Sequence, residues 1–273
     1  MLSLAKLKPG QQQYYLDTVA RGAEEYYTGA KEAPGQWMGR GAAVLGLDGI
    51  VDEEALHRVL SHRGPSDGTR LTRAQGAPKV PGYDGVFNDA KSVSLLFALG
   101  PPEVSNEVRN AQDAAVGAAF AFLQGVAARA RRGKGGAEQV AADGLVGAAF
   151  RHRTSRAAHL HTHVLIANLV RSPDDGRWSA LDGRPLYGWA RPTGFLHEAQ
   201  LRAELTRRLG VEWGPVRKGI AEIAGIPAAT LRGFSRRRAQ IEAKLDEWGH
   251  SGAAAAQEAT RPTRKPKDRE ARC

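Results

Sequence analysis

The chain has 273 residues, enough to bury a sizeable core in one domain or in one domain with a small appendage. Lys and Arg outnumber Asp and Glu by 39 to 29, a formal charge of +10, which points to a polyanionic partner with nucleic acid first in line. The single cysteine, Cys273, excludes a disulfide framework and a cysteine metal site, and no stretch approaches the roughly 18 apolar residues of a membrane span. MLSLAKLKPG lacks the apolar run of a signal peptide, so the expectation is a cytoplasmic protein with no membrane insertion.

In chain order, MLSLAKL alternates apolar and polar and predicts a first strand stopped at Pro9-Gly10. QQQYYLDTVARGAEEYYTG reads as a helix bent or interrupted at Gly22. Two short helices come next, one before Trp37 and one over 51–60, then GYDGVF as a strand and 90–99 as a compact apolar helix after Asn88-Asp89. A long alanine-rich helix is predicted over 106–130, ending in a basic turn, RARRGKGG. The clearest strands, 145–150 and 160–170, should pair as an antiparallel hairpin around RTSRA. The second carries Leu160, Val164, Ile166 and Val170 on one face and Leu165, Ala167 and Leu169 on the other, which makes it central in its sheet. RWSALDG is short and extended, and a helix over 193–209 ends at Gly210. Small helices over 215–224 and 227–233 lead to a last helix, SRRRAQIEAKLDEW. The division is one folded domain over 1–248 and a basic low-complexity tail over 249–273, expected to be disordered.

Four of the eight histidines, His152, His159, His161 and His163, fall within twelve residues. On a strand, residues two apart share a face at about 6–7 Å, so His161 and His163 can share one ion, whereas His159 and His163, roughly 13 Å apart, cannot easily do so. A third ligand must come from elsewhere, and the hairpin brings His152 alongside. Three imidazoles with open positions suit a catalytic metal better than a structural one; the bland alternative is a polar, solvent-facing strand. His57, His62, His197 and His250 take the ordinary reading.

Four of the six tyrosines stand as doublets, Tyr14-Tyr15 and Tyr26-Tyr27. A phenol whose pKa is lowered by a metal or a base can attack a phosphodiester, while the plainer alternative is one ring packed and one at the surface. Asp84 could orient a metal-bound imidazole or accept a phenol proton, or be a turn or cap aspartate. Lys91 and Arg156 are candidates for phosphate contacts or ordinary surface charges.

Together these residues resemble the conjugative relaxases of the MobF (TrwC/TraI-like) class, in the HUH endonuclease superfamily. The matching text is the MLS start, the doublets in QYYLDTVARGAEEYYTG, GYDxxFxxxKSVSLLFALG, FRHxTSR followed by HLHTHVLIAN, and RPTGFLHEAQLRAELTRRLG, covering about residues 1–245. The resemblance implies an α+β fold: a central antiparallel sheet of about five strands with helices packed against one face, the HUH relaxase palm, and additional C-terminal helices. The metal site would lie in the sheet centre and the tyrosines on a neighbouring helix. Position by position, His152, His161 and His163 match metal ligands and His159 does not. Tyr14 matches the main nucleophile, and Tyr26 the second catalytic tyrosine, with Tyr15 and Tyr27 as secondary candidates. Asp84 matches the aspartate that orients a ligand histidine and helps deprotonate the tyrosine.

The implied activity is site- and strand-specific nicking and strand transfer at the origin of transfer of a plasmid or conjugative element, through a 5′-phosphotyrosyl intermediate. Its implied cofactor is a divalent metal ion, Mg or Mn first, with Zn or Ni as alternatives. The implied partners are single-stranded and hairpin DNA, accessory relaxosome proteins and a type IV secretion coupling protein, and members of the class travel into the recipient cell attached to DNA. Basic stretches at 131–134 and 236–238 would track the DNA backbone, and aromatics such as Trp37 would stack on bases. Two other readings stand beside this one: a metal-dependent phosphodiester hydrolase, and a non-catalytic origin-binding remnant. The sequence departs from the class in three places. GVFNDAKS replaces a TFSAPKS-like stretch, which would alter the loop beside the site; the doublets stand a few residues further apart than in some members; and no G-x-x-x-x-G-K-[ST] of a helicase follows, so the chain reads as a relaxase-domain fragment or a truncated protein.

Overall fold

The computed structural model describes residues 1–8, 34–152, 160–234, 243–245 and 247–248. Tyr14, Tyr15, Tyr26, Tyr27, Arg156, His159 and the 249–273 tail lie outside the described residues, as do the helix predicted around the tyrosine doublets and most of the one predicted from Ser235.

Alternation of side chains builds the central sheet. Strands β1 (Leu2–Lys6), β2 (Gln36–Met38), β3 (Gly82–Asn88), β6 (Gly147–His152) and β7 (His161–Ala167) run antiparallel in the order β1-β3-β7-β6-β2. β7 is the middle strand, as its two apolar faces predicted, and the 145–150 and 160–170 segments do pair. The remaining strands form two ribbons, β4 (Arg129–Arg132) with β5 (Glu138–Ala141) and β8 (Val170–Arg171) with β9 (Trp178–Ser179).

The helices among the described residues include α1 (Arg40–Val44), α2 (Glu53–Leu60), α3 (Lys91–Leu99), α4 (Pro102–Ala127), α5 (Gly183–Leu209) and α6 (Ala228–Gly233). Asp52 starts α2 by accepting the Ala55 N–H at 2.8 Å. Val108, Ala111, Ala115, Ala119 and Leu123 recur at helical spacing along α4 and are all buried, and the three alanines among them let α5 pack against it through Leu186, Leu201 and Leu205. Tyr83, Phe87, Val164 and Ile166 of the sheet pack with Val116, Ala119, Phe120 and Leu123 of α4 and with Leu186 of α5. On the other face Ala148, Phe150, Leu165 and Ala167 pack with Ala55, Leu56, Val59 and Leu60 of α2. Helices therefore lie on both faces, which corrects the one-faced arrangement, because β7 is apolar on both sides and each side needs a cover.

Several boundaries move for local reasons. α5 starts ten residues before the predicted 193, because Asp182 caps its first turn and the fully buried Leu186 anchors it; Pro192 is accommodated inside the helix. α4 stops at Ala127 because Arg129–Arg132 is a strand: RARRGKGG is the first arm of a ribbon, closed by glycines at positive φ (Gly133 73°, Gly135 70°, Gly136 73°). Trp37 sits in β2 and the short helix follows it, as α1, instead of preceding it. The 215–224 segment is not a helix but a tight turn, with bridges Trp213↔Ile223 and Arg217↔Ile220 around Lys218 and Gly219 at positive φ. No helix among the described residues is long and apolar enough to cross a membrane.

Candidate metal centre

The period of two that puts Leu165 and Ala167 under α2 puts His161 and His163 on the same face, further along β7. β6 pairs antiparallel with it in a register that sets His152 directly opposite His161. The apolar half of the face thus gives way to a polar half made of three imidazoles. Their ring centroids lie 5.5 Å apart for His152 and His161, 4.9 Å for His152 and His163, and 5.1 Å for His161 and His163. An ion about 2.1 Å from one nitrogen of each ring would put the centroids roughly 4.5–5.2 Å apart; the two spacings to His163 fall in that range and the His152–His161 spacing lies just above it. Among the described residues no three His, Cys, Asp or Glu side chains already stand set to hold a metal ion. The His152 and His161 rings are nearly parallel, at 19°.

Asp84 of β3 shares this face. Both of its oxygens accept from His163 Nδ1, at 2.8 and 3.0 Å. A carboxylate oxygen accepts, so Nδ1 is the donor and Nε2 is the nitrogen left to face a metal ion. Phe150, opposite His163 in the ladder, backs the cluster, and Gly35 lies so close to that ring that a Cβ there would fall 2.4 Å from it.

Of the predicted residues, His152, His161, His163 and Asp84 are therefore brought together. Lys91 opens α3, three positions after Asn88, which pairs with His161. It is half-buried, and desolvation lowers its ammonium pKa while Glu222 works in the opposite direction. GVFNDAKS leaves β3 unbroken through Asn88 and still delivers Lys91 and Ser92 to the start of α3. Arg132 is engaged by Asp175 in a two-pronged pair at 2.6 and 2.7 Å, while Arg131 is exposed on β4. Trp37, 9% exposed, is part of the core, so the expectation that it stacks on bases is corrected: its ring is taken up by packing.

Three residues that the sequence reading passed over brace this end of the sheet. Glu222 Oε2 accepts the Ser92 N–H at 2.8 Å, the Ile223 N–H donates to Ser92 Oγ at 2.9 Å, and the Leu160 N–H donates to Ser94 Oγ at 3.1 Å. The signal in the sequence was the pair of serines within the apolar helix text KSVSLLFAL, since buried hydroxyls must find partners.

A family model described as TrwC relaxase matches residues 9–272. Among curated proteins, the chain is similar to the multifunctional conjugation protein TraI of Escherichia coli strain K12, 32% identical over 252 residues, and to a second Escherichia coli protein of the same description, 34% identical over 226 residues. These matches cover 86% and 78% of this chain but 14% and 12% of the relatives, so the chain spans about one seventh of their length. Among solved structures it is similar to the conjugative relaxase TrwC in complex with oriT DNA in a copper-bound form, at TM-score 0.83 and 30% identity, covering 98% of this chain and 92% of that one. The metal-free complex gives TM-score 0.81 at 28% identity, and TrwC complexed with a 27-mer DNA comprising the recognition hairpin and the cleavage site gives 0.80 at 29%, each with the same coverage.

Proposed function

Because the chain belongs to the TrwC relaxase family, we propose that it nicks one DNA strand at an origin of transfer and transfers that strand through a covalent tyrosine intermediate. The observation that carries this reading is the triangle of His152, His161 and His163, with Asp84 bonded to His163, on one face of the central sheet. These three histidines would hold a divalent ion, magnesium or manganese first, with zinc or nickel as alternatives; metal-bound and copper-bound forms exist among the TrwC structures. When bound, such an ion polarises a phosphoryl oxygen and offsets charge that builds up during displacement at phosphorus.

The chain's own residues supply the rest. The Tyr14 phenol oxygen attacks the scissile phosphorus, a P–O bond to tyrosine forms, and the bond to the 3′ oxygen breaks. The phenolic proton passes toward Asp84, and the 3′ oxygen leaves with a proton as a free hydroxyl. The products are a 5′-phosphotyrosine and a 3′ end; one phosphodiester replaces another, so rejoining needs no ATP. Tyr26 would serve a second transfer, with Tyr15 and Tyr27 as secondary candidates. Lys91 and Arg156 would contact phosphates, and the net charge of +10 favours a DNA strand as substrate. Accessory relaxosome proteins and a secretion coupling protein are the expected partners, in the cytoplasm.

The test is a denaturing gel with tiled single-stranded oligonucleotides from the DNA flanking its own gene, in Mg or Mn, for wild type and Tyr14→Phe. A DNA–protein adduct that needs both the ion and Tyr14 supports the reading. Metal-dependent cleavage without an adduct would replace it with a hydrolase, and sequence-specific binding without cleavage would replace it with an origin-binding remnant.

A further inference from the structure

Strand β7 begins at the ligand. His161 is its first residue and makes the outermost ladder pairs, with Asn88 on β3 and His152 on β6. Strand ends open more readily than strand centres, so a ligand in this position needs an anchor that His163, two residues further in, does not. Leu160, just outside the ladder, provides one. Its N–H donates to Ser94 Oγ at 3.1 Å, its side chain is 1% exposed, and it packs with Ala90, Val93, Val108 and Ala111. Ser94 is itself 1% exposed on α3, and its hydroxyl donates back to the Ala90 carbonyl at 3.4 Å, one helical turn earlier. That back-bond turns the hydroxyl so that its lone pair faces Leu160.

We propose that Ser94 is a positioning residue for the metal centre: by accepting the Leu160 N–H it pins the start of β7 and sets where the His161 ring stands. The proposal rests on the reading of His152, His161 and His163 as metal ligands. It divides the labour of holding the centre, with Asp84 fixing the His163 ring from the side chain and Ser94 fixing His161 from the backbone. It also gives a use to the second serine of KSVSLLFAL, which neither packing nor helix propensity calls for in a buried apolar segment.

The experiment is calorimetric titration of the purified chain with Mn or Ni, without DNA, for wild type, Ser94→Ala and Ser172→Ala. Ser172 is a matched control: it is fully buried, its hydroxyl donates to the Ala141 carbonyl at 3.0 Å, and it follows β8, past the end of β7 opposite to His161. Ser94→Ala is expected to weaken metal binding about 10-fold, in the range found when a group that orients a ligand is removed, while Ser172→Ala stays within about 2-fold of wild type even if its melting temperature falls as far. In nitrogen-15 spectra the His161 ring signals should move in Ser94→Ala while those of His163 hold. Should Ser94→Ala not fold, Ser94→Cys carries the same expectation, since it keeps a side chain of similar shape with a weak acceptor. Equal affinity in Ser94→Ala and wild type, or an equal loss in Ser172→Ala, overturns the proposal. Absence of metal binding in wild type would instead overturn the ligand assignment on which it rests.

Discussion

The two ends of β3 and its turn each supply an aspartate to a histidine, and the two couples behave in opposite ways. Asp84 meets His163 on the face that carries the histidine cluster, at 2.8 Å, with side chains 11% and 18% exposed. Asp89 meets His197 of α5 on the opposite side at 3.5 Å, with both side chains fully buried and their polar atoms without hydrogen-bond partners among the described residues. Burial pushes His197 down to about 3, with the Met1 ammonium adding to the effect. Burial also raises Asp89 well above the usual carboxylate range, helped by the neighbouring Glu198 and opposed by the Met1 ammonium. The fully buried couple is thus driven toward two neutral partners, while the Asp84–His163 couple keeps hydrogen-bond geometry that orients the ring. Residue types alone do not make a ligand site; access and alignment do.

Substitutions can break that contrast in order of size. Removing a ligand costs more than removing the group that orients it, which is worth about 10–100-fold in metal affinity. His163→Ala is therefore expected to lower affinity by more than about 100-fold and to abolish the DNA adduct, whereas His197→Ala leaves metal affinity unchanged; calorimetric titration with Mn checks both. At the next level, Asp84→Ala should cost about 10–100-fold and Asp89→Ala less than about 2-fold. If Asp89→Ala matched Asp84→Ala in the same titration, the buried couple would belong to the centre and the contrast would fail.

The same contrast shows what could be read from the sequence. His161 and His163 were legible as a pair because alternation fixes a shared face, and His152 because a hairpin has one nearest partner; the antiparallel register then delivered all three. The central position of β7 was legible from its doubly apolar pattern. Asp84 was legible as a candidate, but its choice of His163 depends on the β3–β7 register, which no local signal encodes. The Asp89–His197 couple and the Glu222–Ser92 lock were out of reach because their partners lie 108 and 130 residues apart and meet only when α5 and the 213–223 turn pack against α3 and β3. The start of α5 was misplaced because Pro192 looks like a beginning, and only the burial of Leu186 shows that the helix is already under way. The tyrosine doublets rest on resemblance to the family.

The finest test of the contrast is acid titration of stability. An unfolded histidine takes up its proton near its ordinary value of 6.5, whereas folded His197 holds out to about 3. Its contribution to stability is therefore present above 6.5 and lost as the pH falls from 6.5 toward 3. Asp89 acts with the opposite sign: its folded pKa is raised, so its contribution is present below the ordinary value of 3.8 and declines as the pH rises toward the folded value. Between pH 7 and pH 5 the histidine alone withdraws about 2 kcal/mol, and the aspartate works against it. His197→Gln removes the first slope and keeps the second. The melting temperature at pH 5 relative to pH 7 is then expected to be higher in the variant than in wild type by about 4–8 °C, read by thermal denaturation at the two pH values. An identical pH difference in the two proteins would mean that burial does not hold His197 neutral, and a lower relative value at pH 5 in the variant would reassign the buried couple as an ion pair.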